Sequence, residues 1–363
     1  TGSTIAGDTT LEEQLRYGHY HWMGRIENVY NVGLLGHNGL ALGDVNGDRL
    51  DDLYLCRTGG LPNLLLVQNS DGTVTNRARE AGVDWLEHSG SALLVDLDND
   101  NDQDLVLGTA WSLLIMSNDG TGRFEIQAEF RVRNKPTSIA AADYDNDGDL
   151  DLYICFWSHQ PPIPYHDAAN GAANILARND GDWQFANVTA ETGMDQNNQR
   201  FSFACSWEDM DNDGDQDLYV ANDYGRNNLY RNDGDRFVDI AQDAGVEDIA
   251  AGMSVTWADC NHDGWMDLYV SNMFSAAGNR ITYQRKFKQN AAEATRAVYQ
   301  RHVRGNSLFQ NSGDGTFRDL SEQAGVTLGR WAWGSYFVDL NNDGNEDLVV
   351  CNGYVTNHNP HDL

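Results

Sequence analysis

Four aspartates spaced 143, 145, 147 and 151 are the first residues in this chain that suggest chemistry. Oxygen ligands at positions 1, 3, 5 and 9 of a tight loop, with a glycine at position 6 for a sharp turn, can wrap one hard cation at about 2.3 to 2.6 Å. Position 7 is expected to add its backbone carbonyl. The same spacing returns at Asp209, Asp211, Asp213 and Asp217, and at Asp96, Asp98, Asp100 and Asp104, where Asn101 replaces the glycine. Asparagine tolerates a left-handed backbone at modest cost, so that loop is retained. Three further copies carry Asn at position 3: Asp44, Asn46, Asp48 and Asp52; Asp259, Asn261, Asp263 and Asp267; Asp339, Asn341, Asp343 and Asp347. With one charge fewer they are expected to bind more weakly, and Arg49 stands where the first needs a glycine.

Twenty-one carboxylates occupy these four positions across six loops. Without a cation each loop gathers three or four like charges, so metal is expected to be part of folding stability. About five or six Ca2+ ions are expected. An EF-hand is excluded: counting twelve from Asp143 and Asp209 gives Ile154 and Val220 instead of Glu, and the flanks read as strands.

The elements that must hold these loops follow from the repeat. Each copy is an apolar strand, the Asp loop, and a second strand such as DLYL or DLYV, with starts 52, 47, 66, 50 and 80 residues apart. Two insertions, Phe156 to Ala173 (156–173) and Met273 to Gly305 (273–305), account for the long gaps. The second predicts a helix, with Asn290 and Glu293 as a capping box. Residues 9–23 also read as partly helical, with Thr10 and Glu13 as a second box. Hairpins follow each loop, as in NNLYRNDGDRFVDIAQDAGV from Asn227 and NSLFQNSGDGTFRDLSEQAGV from Asn306.

Four antiparallel strands per repeat (A and B flanking the Asp loop, C and D flanking the Gly turn) predict a β-propeller blade. The 25 residues from Asp339 and the 43 before Asp44 supply one more interval. The expected architecture is therefore all-β, a propeller of six blades with seven as the alternative, forming a single domain over 1–363 whose termini close the ring.

The loops and the N-x-L-Y-x-N-D-G-x-F-x-D hairpins resemble the FG-GAP/VCBS repeat superfamily. The closest flavour is its cartilage-acidic-protein-like branch, in which the A-G-V ending recurs, here at Ala81-Gly82-Val83, Ala244-Gly245-Val246 and Ala324-Gly325-Val326. The resemblance covers about Leu40 to Tyr354. It implies an extracellular or periplasmic propeller with calcium in the A–B loops, and little about activity, because such scaffolds host many functions.

A formal charge of -31 and a pI near 4.4 exclude nucleic acid and anionic membrane as expected partners. No apolar run approaches the 18 or so residues a spanning helix needs, and no leader precedes Thr1, so a mature form or an excised domain is expected. Five scattered cysteines show no C-x-x-C spacing; Cys56, Cys155 and Cys351 share one strand slot and are expected to be buried.

Both insertions are expected to join strands B and C, on the face away from the calcium loops. Residues seven to nine before each first Asp are expected to ring the channel mouth on that face: His37, His88, Lys135, Arg200, Ala251 and Arg330, with Trp331 and Trp333 nearby. This basic, aromatic set suits an anion or a stacked sugar. Arg226, Trp331, Trp333 and Tyr354 are the candidate ligand-binding residues; His37, His88, Lys135, His166, Arg200, Tyr224 and Arg330 are the candidate catalytic ones. His19 and His21, with His37, His88, His358 and His361, are candidates for a second, transition-metal site.

Three functions remain open, one of them a purely structural scaffold within a longer polypeptide. Another is an extracellular calcium-stabilised module binding a glycan, peptide or protein through the calcium-free face. The third is an enzyme at the same place, a lyase or dehydratase in which a cation neutralises a carboxylate while His or Tyr moves a proton.

Overall fold

The computed structural model describes residues 4–5, 39–57, 61–157, 167–234 and 236–353. The DLYL-type segments each start a strand at the last loop aspartate, and four-stranded antiparallel sheets result. The first sheet holds β2 (Leu40–Gly43), β3 (Asp52–Leu55), β4 (Leu64–Gln68) and β5 (Thr73–Asn76), with β1 (Thr4–Ile5) added in parallel on β5. The second holds β6 (Ser89–Val95), β7 (Asp104–Thr109), β8 (Ser112–Asn118) and β9 (Phe124–Arg131). The third holds β10 (Pro136–Ala142), β11 (Asp151–Phe156), β12 (Ile175–Asn179) and β13 (Phe185–Asn187).

The fourth consists of β14 (Ser202–Glu208), β15 (Asp217–Asn222), β16 (Asn228–Asn232) and β17 (Phe237–Asp239). In the fifth, β18 (Gly252–Ala258) and β19 (Asp267–Asn272) are followed by α1 (Ala276–Thr282) and α2 (Glu293–His302) before β20 (Ser307–Asn311) and β21 (Phe317–Asp319). The sixth pairs β22 (Ala332–Val338) with β23 (Asp347–Asn352). These are propeller blades with A, B, C and D strands in sequence order, and both insertions are B–C connections as expected.

Every residue of β7, β11, β15 and β19 is buried. That is why these strands read as continuous apolar runs and not as alternation: both of their faces are covered. The A-G-V ending is the wedge between consecutive blades. Ala81 and Val83 are buried with Tyr54, Leu94 and Leu105, and Ala244 and Val246 with Tyr219, Trp257 and Leu268. The glycine inside it takes φ of 79° at Gly82 and Gly245, where a Cβ would meet the Phe124 and Phe317 carbonyls at 3.3 and 3.2 Å. A repeated brace closes each wedge: Asn63 donates to the Tyr54 hydroxyl at 2.9 Å, which donates to the Val83 carbonyl at 2.9 Å. Asn227, Tyr219 and Val246 repeat it at 3.0 and 2.9 Å.

The chain divides into two compact units, Thr1–Ala141 with Arg178–Ala186, and Ala142–Ala177 with Asn187–Leu363. Among the described residues no helix is long and apolar enough to cross a membrane.

Three local expectations need correction. Asn290 does not cap a helix: α2 starts at Glu293 with Ala292 as its N-cap and no side-chain cap bond, so the box lies too early for the helix it was read to start. The insertion holds two helices instead of one, α1 being capped by Ser275, whose side chain accepts from Gly278 N. Cys56 and Cys155 are buried, but Cys351 is exposed on β23, which has no third strand beside it among the described residues. The expected helix over residues 9–23 lies outside the described residues.

Candidate metal sites

The nine-residue loop folds by turning its first aspartate inward as a hydrogen-bond acceptor for its own backbone. In the fourth blade Asp209 accepts from Asp213 N and Gly214 N, both at 3.0 Å, and Asp213 accepts from Asp215 N at 2.9 Å. The third blade repeats this with Asp143 accepting from Asp147 N and Gly148 N at 3.0 Å. In the first, Asp44 accepts from Asp48 N at 3.1 Å and from Arg49 N at 2.6 Å. Loops at Asp96, Asp259 and Asp339 make the corresponding pairs.

The ninth residue has a second task. Asp217 is fully buried and accepts from Met210 N at 3.1 Å with one oxygen and from Asn232 N at 2.8 Å with the other. Asp52, Asp104 and Asp267 do the same in their blades through Gln68, Asn118 and Asn311. Each carboxylate oxygen has two lone pairs, so these bonds leave room for a cation.

In the second, third and fourth blades, positions 1, 3 and 9 converge. Asp96, Asp98 and Asp104 each offer an oxygen within 4.8 Å of the others, as do Asp143, Asp145 and Asp151, and Asp209, Asp211 and Asp217. Position 5 (Asp100, Asp147, Asp213), read as an equal ligand, stands outside these groups; Asp147 and Asp213 each give an oxygen to the N–H of position 7. In the other three loops position 3 is an amide partly used up locally, Asn46 accepting from Asp48 N at 3.0 Å and Asn261 from Asp263 N at 2.9 Å.

The electrostatics fit a missing positive charge. Burial, then Asp213 and Asp209, push the Asp211 carboxyl up, and its Oδ1 is buried with no hydrogen-bond partner. Burial, then Asp100, raise Asp98. Burial pushes Asp104 and Asp217 up to about 7 each, against the backbone N–H bonds that lower them. A hard divalent cation would reverse that balance by favouring the ionised form.

The loops are also tied to one another. Asn118 Nδ2 donates to the Val45 carbonyl at 2.9 Å, so strand C of the second blade holds position 2 of the first blade's loop. Asn179 holds Leu97 at 2.9 Å, Asn232 holds Tyr144 at 2.8 Å and Asn311 holds Met210 at 2.8 Å. Since the backbone N–H of Asn118, Asn232 and Asn311 goes to position 9 of their own blades, each of the three bridges two loops.

The remaining candidates fall into local groups. Lys135 Nζ lies 3.2 Å from His88 Nε2, and burial lowers the amine to about 8. Arg200 donates to the Arg226 carbonyl, and Arg226 pairs with Glu247 and, at 3.5 Å, with Asp167. Tyr224 stacks edgewise on Phe201 at 5.6 Å, and Phe201 on Trp157 at 5.8 Å. Trp157 Nε1 donates to Asp223 at 3.0 Å, and burial pushes Asp223 up to about 7. Trp333 lies 6.2 Å from Phe203, Trp331 bridges to Met273, and Arg330 is exposed with its carbonyl accepting from Phe274 N at 2.6 Å. Trp157 and Glu247 carried no spacing signal that would have singled them out. His19, His21, His37, His166, Tyr354, His358 and His361 lie outside the described residues, so the second metal site there is untouched by this geometry.

Blades of this topology carrying these loops define an FG-GAP-repeat β-propeller, and the FG-GAP-like repeat matches residues 96–154, 209–270 and 297–350. More particularly, the chain is similar to cartilage acidic protein 1. It is 30% identical to the Xenopus tropicalis protein over 127 residues, which is 33% of this chain and 19% of that one. To the Homo sapiens protein it is 29% identical over 156 residues, 40% of this chain and 22% of that one. The matched region thus spans about a fifth of the curated relatives' length. Among solved structures, an Agrocybe aegerita lectin recognising non-reducing terminal N-acetylglucosamine aligns over 86% of this chain and 74% of its own at 16% identity, TM-score 0.49. A V. cholerae biofilm matrix protein aligns over 77% and 38% at 14% identity, TM-score 0.39.

Proposed function

We propose that the chain is an extracellular or periplasmic binding module, stabilised by calcium in its A–B loops, that recognises a glycan, peptide or protein through the B–C side of its blades. The observation that carries the calcium half is the convergence of positions 1, 3 and 9 within 4.8 Å in three successive blades. Calcium supplies the positive charge that lets these carboxylates stay ionised together, and Asp and Asn oxygens on a flexible loop suit it better than a smaller, octahedral ion. Loops with few carboxylates suit the millimolar calcium outside cells, which supports the extracellular placement. The B–C side is favoured because both long insertions lie there. The test is metal analysis with thermal unfolding, before and after chelator. About five or six calcium ions and a large fall in Tm are expected; two or fewer with no change in Tm would sink the reading.

One observation favours the enzymatic alternative. Asp223, with its carboxyl pushed up by burial to about 7, accepts from Trp157 Nε1 and is followed in the chain by Tyr224 and Arg226, so a group able to hold a proton lies on the same B–C turn as a cation. An anionic saccharide incubated with the protein would then gain an unsaturated product absorbing in the near ultraviolet, lost in Asp223→Asn. Identical traces with and without protein would dismiss this alternative.

A further inference from the structure

We infer that the helical insertion between β19 and β20 is a polyanion-recognition element whose partner is a sulfated polysaccharide. This deepens the binding-module reading and rests on it for the setting, though not for the chemistry.

The insertion reverses the sign of the molecule. Between Met273 and Gly305 there are seven Lys and Arg and a single acid, Glu293, in a chain of net charge -31. Two of the seven fasten its base. Arg301 Nε lies 3.0 Å from Asp248 Oδ1, a carboxylate that is buried and also accepts from Ser307 Oγ at 2.6 Å and Asn272 Nδ2 at 3.0 Å. Arg304 Nη2 meets Asp319 at 2.9 Å and Ser321 Oγ at 3.0 Å. The two arms are further joined where Asn279 Nδ2 donates to the Val303 carbonyl at 2.6 Å. An ion pair to a buried carboxylate that Ser307 and Asn272 also hydrogen-bond fixes the base of the insertion, because breaking it would strand a buried charge.

The tip is left free for other work. Residues 280–288 read RITYQRKFK, four cations in nine positions. Lys288 lies over the Tyr299 ring at 4.6 Å, and Phe287 packs edgewise on the same ring at 5.6 Å, which orders the tip. Arg280, Arg285 and Lys286 are exposed and form no ion pair among the described residues. Beside them Ile281 is 50% and Tyr283 66% exposed. Arg280 and Tyr283 are three residues apart, the spacing that puts side chains on one side of a helical turn.

The chemistry that matches is a chain of spaced anions on an amphipathic backbone. One surface ion pair is worth little in water, so a lone sulfate would not be held; several engaged together add up. Guanidinium forks pair with sulfate oxygens in a plane, and an exposed tyrosine ring offers a face to a pyranose ring. Screening confines the repulsion from the acidic blades to about 8 Å at physiological salt, so a projecting tip can meet a polyanion that the body would repel. A second copy of the chain would offer its acidic loops instead, but calcium removes much of that charge.

The test measures binding of the calcium-loaded full chain to immobilised heparin across a salt series, with Arg280→Ala/Arg285→Ala/Lys286→Ala, Tyr283→Ala, and free sulfate as competitor. The triple variant is expected to lose about tenfold or more in affinity and to flatten the salt dependence, with unchanged Tm and calcium content. Tyr283→Ala is expected to lose about threefold at unchanged salt slope. Millimolar sulfate is expected to compete poorly. Equal binding by wild type and triple variant, or none by wild type, overturns the proposal. So does equal binding of duplex DNA by the Tyr283 variant and wild type at heparin-like affinity, or calcium-sensitive self-association lost in the triple variant. Failure of the calcium count with tip-dependent heparin binding intact would overturn the calcium reading and leave this one standing.

Discussion

The loops of the first and fourth blades are the same device built from different residues. Both place left-handed backbone at positions 4 and 6: Gly47 at φ 74° and Arg49 at 69° in one, Asn212 at 58° and Gly214 at 94° in the other. Both aim their first aspartate at the N–H groups of positions 5 and 6. They differ in charge. In the fourth, Asp211 adds a third converging carboxylate and is pushed up by burial and its neighbours. In the first, Asn46 stands there, and although burial raises Asp44, backbone bonds from Arg49, Asn46, Asp48 and Gly47 bring it below the usual range. The first loop is not free of strain, since burial and then Asp48 and Asp44 push Asp52 up, but it lacks the third converging carboxylate of the fourth, so backbone shape alone does not tell how strongly a loop needs metal.

Removing metal sharpens this contrast most. If the three full-charge loops are filled at about 100 times their Kd, each adds about 2.7 kcal/mol, so chelation is expected to cost about 8 kcal/mol and lower Tm by about 10 °C or more. Asp211→Asn, which turns the fourth loop into a copy of the first, is expected to recover part of the stability of the chelated protein while weakening its calcium binding. An equal loss of stability with and without calcium would break the comparison.

Next is the buried end of the loop. Asp217→Ala leaves the N–H groups of Met210 and Asn232 buried without acceptors, and a cost of about 3 kcal/mol is expected even after chelation. Asp347→Ala, whose bond to Leu340 N is exposed, is expected to cost about 1 kcal/mol, measured by urea unfolding.

Asp223 is a buried carboxylate outside any loop and so a control for burial without metal. Its folded pKa of about 7 lies above the unfolded value near 3.8. The folded state therefore holds the extra proton, and the stability this gives is full below about pH 4 and is lost as pH rises to about 7, at no more than about 1.4 kcal/mol per pH unit. Asp223→Asn is expected to remove that slope and leave the calcium dependence intact.

How far the sequence carried is visible in the same residues. The aspartates and their strands recur along the chain and the two insertions show as breaks in that recurrence, which is readable without coordinates. Position 4 supplies no side-chain ligand in the spacing, yet it is left-handed in all six loops, at Gly47, Asn99, Asn146, Asn212, His262 and Asn342. Its Asn preference reflects backbone sterics, which a search for ligands passes over. Position 5 gives an oxygen to its own loop's backbone at Asp147 and Asp213, a bond that spacing alone does not record. The bridges from Asn118, Asn179, Asn232 and Asn311 connect residues 73 to 101 positions apart, and no local pattern encodes such a bond.

Those bridges carry an effect of intermediate size. Asn232→Asp keeps an oxygen for Gly234 N, 3.1 Å away, but loses the donor to Tyr144, so a cost of about 1 to 2 kcal/mol is expected. Beyond that cost, calcium isotherms of the third and fourth loops are expected to become independent, whereas in the wild type Asp145→Ala in one weakens the other. Equal coupling in both proteins would show that the loops communicate by some other route.

The smallest effect isolates backbone shape from charge. Arg49 holds φ 69° at a position where four of the six loops have glycine, and a side chain there costs about 1 kcal/mol. Arg49→Gly keeps the N–H that reaches Asp44 at 2.6 Å and removes only the strain and one exposed cation. It is expected to stabilise the chelated protein by about 0.5 to 1 kcal/mol and to tighten calcium at the first loop by a few-fold. If stability rises while calcium affinity at that loop stays fixed, the third carboxylate alone separates strong loops from weak ones; if both rise, the backbone shares the task.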